Sequence, residues 1–274
     1  MEASETTYEA SIRASIRSRW LGRPLHYYPA LPSTNDLLAE MAVQDASAGS
    51  MVVTDFQSRG KGRLGRSWLA PAGTSLLFSL LFRPDWPPER AAWLTMIAGL
   101  ATVSAIESIT GLSTSLKWPN DLVLPARNQW PKVGGLLLEG TFASNRMQAA
   151  VLGIGVNVNI EPEQLPSTKY PASSLLIESG SSIRRADLLG SILESLESRY
   201  QAADQGHSPH EEWQSRLISL GRRIQVTHSV DGRRIVGIAE GVDDWGRILV
   251  LDDGGRQHVM AAGDVTLQVD NSED

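Results

Sequence analysis

Four basic side chains, Arg59, Lys61, Arg63 and Arg66, fall in one short stretch and are interleaved with Gly60, Gly62 and Gly65. No acidic residue follows until Asp85. The whole chain carries 25 Lys and Arg against 31 Asp and Glu, a formal net charge of −6, so the cluster is local and not compositional. Glycine-rich turns also expose backbone N–H groups that converge on an anion. The stretch therefore reads as a site for a small polyanion such as a nucleotide phosphate. Trp68, beside the cations, offers a ring that stacks on a base or another flat ligand. The plainer reading of the same residues is a solvated surface turn, and the loop alone leaves function open.

Context removes two familiar phosphate motifs. Gly60-x-Gly62-x-x-Gly65 has the dinucleotide-binding spacing, which has meaning only between a strand and a helix. A strand is expected over 51–56, but Pro71 and Gly73 stop any helix after the loop. The P-loop spacing fails too, because Arg66 stands where lysine is required and the helix is again missing. Cysteine is absent, so disulfides, thiolate metal sites and cysteine nucleophiles are excluded. The five histidines, 26, 207, 210, 228 and 258, are scattered, and His207 and His210 are read in a loop without a partner cluster for a metal. No Gly-x-Ser-x-Gly elbow supports a hydrolase triad.

Other polar groups fall where elements begin or end. Ser33 or Thr34 is expected to cap a helix that runs on through Met41, and a helix N-terminus offers free N–H groups to a polar ligand. In Lys117-Trp118-Pro119-Asn120-Asp121, the proline makes an extended corner and leaves Lys117, Asn120 and Asp121 at a strand edge. Lys132 opens a strand to Glu139, with Gly134 and Gly135 marking close approach of a ligand or another backbone. Asn157 sits inside an apolar strand over 151–160. A buried asparagine must be hydrogen-bonded, so it is a structural bracket or a ligand contact.

The elements that must position these groups are read from hydrophobic periodicity. Ile12, Ile16 and Trp20 suggest a short N-terminal helix, and 25–28 a strand. Residues 74–82 read as a buried strand. Residues 89–110 read as a long helix apolar nearly all round, closed by Gly111. A loop is expected over 125–131 and an amphipathic helix over 184–200. Ser208-Pro209-His210-Glu211 reads as a capping box starting a helix to Leu220. Short strands follow over 223–227, 235–241, 247–251 and 257–260, with turns at Val230-Asp231-Gly232, 243–246 and 252–255, the pattern of a small β-barrel. At 274 residues, 42% hydrophobic and 20% charged, the chain suits one large soluble domain and one small one. No apolar run is read as a membrane span. Glu2, Glu5 and Glu9 argue against a leader peptide. A reducing, cytoplasmic setting is expected, with no membrane partner.

Five segments in order resemble the catalytic core of the biotin–protein ligases. They are Ser33-Thr34-Asn35, Gln57 through Trp68 with Ala70-Pro71-Ala72-Gly73, Lys117 through Asp121, Lys132 through Glu139, and Gly153 through Asn159. Each is modest alone, while the ordered set is specific, and the likeness spans about residues 25 to 268. It implies an α/β (α+β) fold. A mixed sheet flanked by helices, akin to class II aminoacyl-tRNA synthetase cores, would carry a small C-terminal SH3-like β-barrel. The division expected is a catalytic domain over 1–220, with 1–24 as an N-terminal extension, and the SH3-like domain over 221–274.

The resemblance also implies ATP with Mg²⁺ as co-substrate and ion, and biotin as substrate. No metal would be tightly held by the protein itself. The partner would be the biotin carrier domain of a biotin-dependent carboxylase, and a homodimer is open. Biotin's carboxylate would attack the α-phosphate of ATP, and a carrier lysine would then attack the adenylate. Lys132, Arg63, Arg66 and Asp121 are the implied catalytic group. Ser33, Thr34, Asn35, Gln57, Gly60, Lys61, Gly62, Arg63, Lys132 and Gly135 would bind biotin. Arg63, Arg66, Trp68, Lys117, Asn120, Lys132 and Asn157 would bind the nucleotide. Asp121 would stand near Mg²⁺ or accept the lysine proton, with no ground to choose. The loop from Arg59 to Trp68 is expected to be mobile without ligand and ordered with it.

Two departures from the family pattern stand out. Lys61 occupies a position where arginine is common, which keeps the charge but loses the bidentate fork. An N-terminal helix-turn-helix is not read in the sequence, so DNA binding and repression are not expected. The rival readings are a lipoate or octanoate ligase of the same core, a nucleic-acid-binding module, and an inactive relative. The basic loop with the C-terminal barrel weighs against the first, the net charge against the second, and Lys132 against the third.

Overall fold

The run Ser75–Phe82 buries all eight of its residues, and it lies inside a seven-stranded sheet. The structure is a computed structural model that describes residues 2–126, 129–166, 170–228, 232–261 and 263–267, with backbone alone over 2–6. Val230 and Asp231 of one expected turn, residues 127–128 of the expected loop, and the tail beyond 267 lie outside the described residues.

In chain order, α1 (Glu2–Ser15) precedes β1 (Leu25–Tyr28), α2 (Thr34–Val43) and β2 (Met51–Thr54). A short ribbon, β3 (Gly60–Lys61) and β4 (Ser67–Trp68), leads into β5 (Ser75–Phe82) and the long helix α3 (Ala91–Thr110). Then come β6 (Ser115–Lys117), β7 (Asp121–Val123), and the hairpin β8 (Lys132–Ala143) with β9 (Arg146–Asn157). The helices α4 (Leu175–Ser179), α5 (Arg185–Asp204) and α6 (His210–Ser215) follow. Last come β10 (Arg223–His228), β11 (Arg234–Val242), β12 (Ile248–Asp252), β13 (Gln257–Met260) and β14 (Gly263–Leu267).

The large sheet has the order β1-β2-β5-β9-β8-β7-β6. β1 and β2 run parallel, and the other neighbours are antiparallel. This is the mixed α/β architecture expected. α3 packs on α5 and on β8. With its preceding turn, over Pro88–Thr110, this helix is long and apolar enough to cross a membrane, which corrects the expectation that no such run exists. Its apolarity has another cause: it is sandwiched between sheet and helix, so nearly every side is core.

Two helices end earlier than their periodicity implies, because tertiary partners capture the backbone. α1 stops at Ser15, and Ile16 and Trp20 lie in the turn that follows. The Glu197 carboxylate accepts the N–H groups of Arg19, Trp20 and Leu21 at 2.8, 2.8 and 3.2 Å, bonds that a continuing helix would have used internally. Trp20 packs edge-on to Phe82 and Tyr200. α6 stops at Ser215 and not at Leu220. The N–H of Leu116 donates to the Arg216 carbonyl and that of Ile218 to the Leu116 carbonyl, both at 2.9 Å, so the open edge of β6 takes up 216–218. The capping box is also corrected. Pro209 is the cap residue, without a side-chain cap bond, and Ser208 Oγ accepts only the His210 N–H at 3.3 Å.

The C-terminal strands form an antiparallel sheet of order β13-β12-β11-β10-β14; β14 went unread in the sequence. Two indoles fasten this sheet to the core. Trp93 Nε1 donates to the Asp244 carbonyl at 3.0 Å, and Trp118 Nε1 to the Gly246 carbonyl at 2.8 Å. Gly246 has φ 75°, a left-handed conformation that favours glycine.

Candidate active site

A cleft of about 1040 Å³ is floored by β8 and β9, covered by the β3–β4 ribbon and walled on its far side by β10 and β14. Every site residue expected from the sequence lines it except Gly60. Gly60 has a different task. It pairs with Trp68 where the ribbon strands cross, and a methyl there would stand 2.4 Å from the Trp68 carbonyl oxygen.

One end of the cleft is a polar network at the start of α2. Ser33 caps the helix, its Oγ accepting the Asp36 N–H at 3.4 Å. Thr34 donates to Gln57 Oε1 from its N–H at 2.7 Å and from Oγ1 at 3.1 Å. Ser79 Oγ lies 2.7 Å from Thr34 Oγ1 and 2.6 Å from Asn35 Oδ1. Asn35 Nδ2 donates to Glu139 Oε2 at 2.7 Å. Thr34, Asn35 and Ser79 are buried, so their orientations are held by these bonds. Gly153 makes room for the network, since a methyl there would stand 2.2 Å from Asn35 Oδ1. Ser79, Glu139 and Gly153 were given no role from sequence. The available signal was a serine inside an otherwise apolar buried strand.

Trp68 lies over the middle of the floor. A methyl on Gly155 would meet its ring at 2.9 Å, and one on Gly135 would stand 3.1 Å from Lys132 Nζ. Gly135 on β8 thus provides the close approach its strand position suggested, and Gly155 on β9 does the same without having been singled out. Lys132 Nζ sits 5.6 Å from the Trp68 ring centroid and 2.5 Å from Asp121 Oδ1. β7 and β8 bring the pair together: Asp121 is opposite Gly135, and the register shifts between Leu122 and Val123 so that Val123 faces Lys132. Trp68 Nε1 is buried with no hydrogen-bond partner among the described residues.

The far end is basic. Arg63 donates to Asn120 Oδ1 at 3.3 Å and to the Gly263 carbonyl at 3.2 Å. Arg66 pairs with Asp264 of β14. Asn120 Nδ2 donates to the Leu136 carbonyl at 2.6 Å, which braces the Pro119 corner against β8. Lys117 Nζ lies over the Tyr170 ring, 4.9 Å from its centroid. Burial pulls the Lys117 ammonium below the usual lysine range, and the Asp121 charge partly restores it. Burial likewise lowers Arg63. Asn157 Nδ2 donates to the Ser173 carbonyl at 3.0 Å while the residue still lines the cleft. It is a structural bracket on the wall of the cleft.

The ribbon is closed by its own backbone. Gly62 N–H donates to the Arg66 carbonyl at 2.7 Å, and the turn between them holds Leu64 at φ 57°, a conformation uncommon for a residue with a side chain. Lys61 pairs with Asp36 and lies 3.8 Å from Glu139. The substituted lysine is therefore tied to the α2 end of the cleft, and its hydrogen bond to Asp36 raises its pKa. No group of three or more His, Asp or Glu suited to a metal ion occurs among the described residues. A nucleotide-borne Mg²⁺ needs only one or two carboxylates beside phosphate, and Asp121 and Asp264 both line the cleft.

The cleft therefore has a polar pocket at one end, cations at the other and a lysine between. Residues 27–157 match the Biotin/lipoate A/B protein ligase family, and 219–267 match the Biotin protein ligase C terminal domain. The chain is 34% identical over 262 residues to the Biotin--[acetyl-CoA-carboxylase] ligase of Mycobacterium tuberculosis, covering 92% of this chain and 93% of that one. It is 33% identical over 257 residues to the Bifunctional ligase/repressor BirA of Bacillus subtilis, covering 93% and 77%. Among solved structures, the biotin protein ligase from Aquifex aeolicus in complex with biotin and ATP superposes with a TM-score of 0.71. That match has 29% identity and covers 89% of this chain and 97% of that one. The chain belongs to the biotin protein ligase family and is an enzyme.

Proposed function

We propose that this enzyme joins biotin to one lysine of a carboxylase biotin carrier domain at the expense of ATP, in two steps. In the first, a biotin carboxylate oxygen attacks the α-phosphorus of ATP. The bond from that phosphorus to the β-phosphate bridge breaks, and pyrophosphate leaves. In the second, the carrier lysine amine attacks the acyl carbon of biotinyl-5′-adenylate. The acyl C–O bond breaks, AMP leaves, and the amine gives up a proton.

The observation that carries this reading is the placement of Lys132, with Asp121 at 2.5 Å and the Trp68 ring against it, between the α2 network and the basic ribbon. Two anions must meet in the first step, and a fixed cation between them offsets their repulsion and the charge that develops at phosphorus. The Thr34, Asn35 and Gln57 groups supply the donors and acceptors a cyclic urea requires. Arg63, Arg66 and Lys117 supply charge for the phosphates, and Asp121 would stand near the Mg²⁺ that ATP brings. The C-terminal sheet is read as an SH3-like module that closes the nucleotide end. The names of the relatives support biotin as the acid and a carboxylase as the target.

The test is pyrophosphate release from Mg·ATP with biotin, octanoate or lipoate as the only acid. Release with biotin alone, followed by AMP when a carrier domain is added, is expected. Release with octanoate or lipoate in preference would move the enzyme to the lipoate branch. No release with any acid would refute the ligase chemistry.

A further inference from the structure

The basic ribbon is fastened to a strand outside the large sheet. Arg66 donates to the Asp264 carboxylate, and Arg63 donates to the carbonyl of neighbouring Gly263. Both acceptors come from the start of β14, an edge strand of the C-terminal sheet. Two carboxylates line the cleft, Asp121 and Asp264. Asp121 is paired with Lys132 and Asp264 with Arg66. A carboxylate offers a guanidinium the same kind of charged oxygen that a phosphate offers.

We propose that Asp264 stands in for phosphate. In the free enzyme it holds Arg66 and straps the ribbon over the cleft, and an incoming polyphosphate takes Arg66 over from it. This rests on the nucleotide site proposed above. Two anions drawing on one guanidinium repel each other, so nucleotide binding breaks the strap as it forms the phosphate contact. The strap then opposes the mobility expected of the ligand-free loop, at the expense of phosphate affinity. The other fastening has the same character: Lys61 is held by Asp36 and approaches Glu139 at the α2 end. The ribbon is thereby held by carboxylates at both ends, and it is the β14 end that phosphate would release.

Asp264→Asn removes the charge and keeps the shape. Calorimetric titration with inorganic pyrophosphate is expected to show about three- to fivefold tighter binding than wild type, the scale of one part-exposed ion pair. Tryptic cleavage at Arg63 and Arg66 of the ligand-free variant should be several-fold faster. In an Arg66→Gln background, Asp264→Asn should change neither reading, because the partner is gone. Unchanged or weaker pyrophosphate binding in Asp264→Asn would overturn the competition, as would a gain that persists without Arg66. An unchanged cleavage rate would overturn the strap. Asp264→Ser, also neutral, repeats both measurements if the asparagine variant fails to fold. Neither readout needs turnover, so a failure of biotin-dependent adenylation would count against the ligase chemistry and leave this test intact.

Discussion

At Lys132 the ammonium is shared between the Asp121 carboxylate and the face of Trp68. In the proposed reaction, that arrangement would hold a charge ready where phosphorus becomes crowded with oxygen, with no reorganisation needed. Lys132→Ala is expected to stay folded and to lose pyrophosphate release by on the order of 10²-fold or more. Circular dichroism and a pyrophosphate assay on the same preparation decide the point, and near-normal release would remove Lys132 from the chemistry. Gly153 matters at the same scale for the opposite reason, the absence of atoms. Gly153→Ala would put a methyl 2.2 Å from Asn35 Oδ1. The asparagine must then leave its bonds to Ser79 and Glu139. Biotin affinity should fall by about tenfold or more, the equivalent of one lost hydrogen-bonding group, while pyrophosphate affinity holds. Titration calorimetry with each ligand separates the two.

At the scale of elements, the first helix is part of the catalytic unit. Arg185 of α5 pairs with Asp55 at 2.7 Å and lies over the Tyr8 ring of α1, 4.0 Å from its centroid. Tyr27 of β1 donates to the same carboxylate at 2.5 Å. Asp55 is two residues before Gln57, so this cluster anchors the segment that enters the ribbon. The Tyr8 hydroxyl is buried with no hydrogen-bond partner among the described residues, and burial pushes its pKa from 10.0 to about 12. The unfolded chain therefore loses this proton first. Stability held below pH 10 is lost as pH rises from 10 towards 12. Tyr8→Phe removes both the orphan hydroxyl and the titration. It should be more stable by ~1 kcal/mol at neutral pH, with the gap to wild type widening between pH 10 and 12. Melting temperatures across that range check the sign, and a gap that narrows would refute it. Tyr27 and Tyr200 are also raised by burial, so both proteins weaken in alkali and only the difference is diagnostic.

At the scale of the molecule, the C-terminal sheet is a wall of the site. β14 meets the ribbon through Gly263 and Asp264, and the Trp93 and Trp118 indoles bond to the turn at Asp244 and Gly246. Gly246→Val sets a branched side chain at φ 75° against Met96. It should cost about 1–3 kcal/mol of stability and shift the sheet away from the cleft. The KM for ATP should rise more than the Kd for biotin, because β14 stands at the basic end and α2 at the other. Equal losses for both ligands would mean that the sheet braces the whole fold instead.

The sequence by itself determined what depends on near neighbours. A helix cap at Ser33 or Thr34, the long apolar helix closed by Gly111, the glycine pair at 134 and 135 and the cluster of cations were all legible, because caps, periodicity, backbone freedom and charge act over a few residues. The ordered motifs also led to the family, and every site residue they implied except Gly60 lines the cleft. Tertiary structure decided which polar group meets which. Arg66 finds Asp264 and Asn35 finds Glu139 across separations that no local pattern records. Lys132 takes Asp121 as its partner, a choice set by a register shift between two strands. The ends of α1 and α6 were settled the same way, since Glu197 and the edge of β6 compete for backbone groups that helical periodicity would have kept. A short stretch sets a residue's conformational preference, whereas a hydrogen bond needs both partners in place, and only the folded chain brings distant ones together.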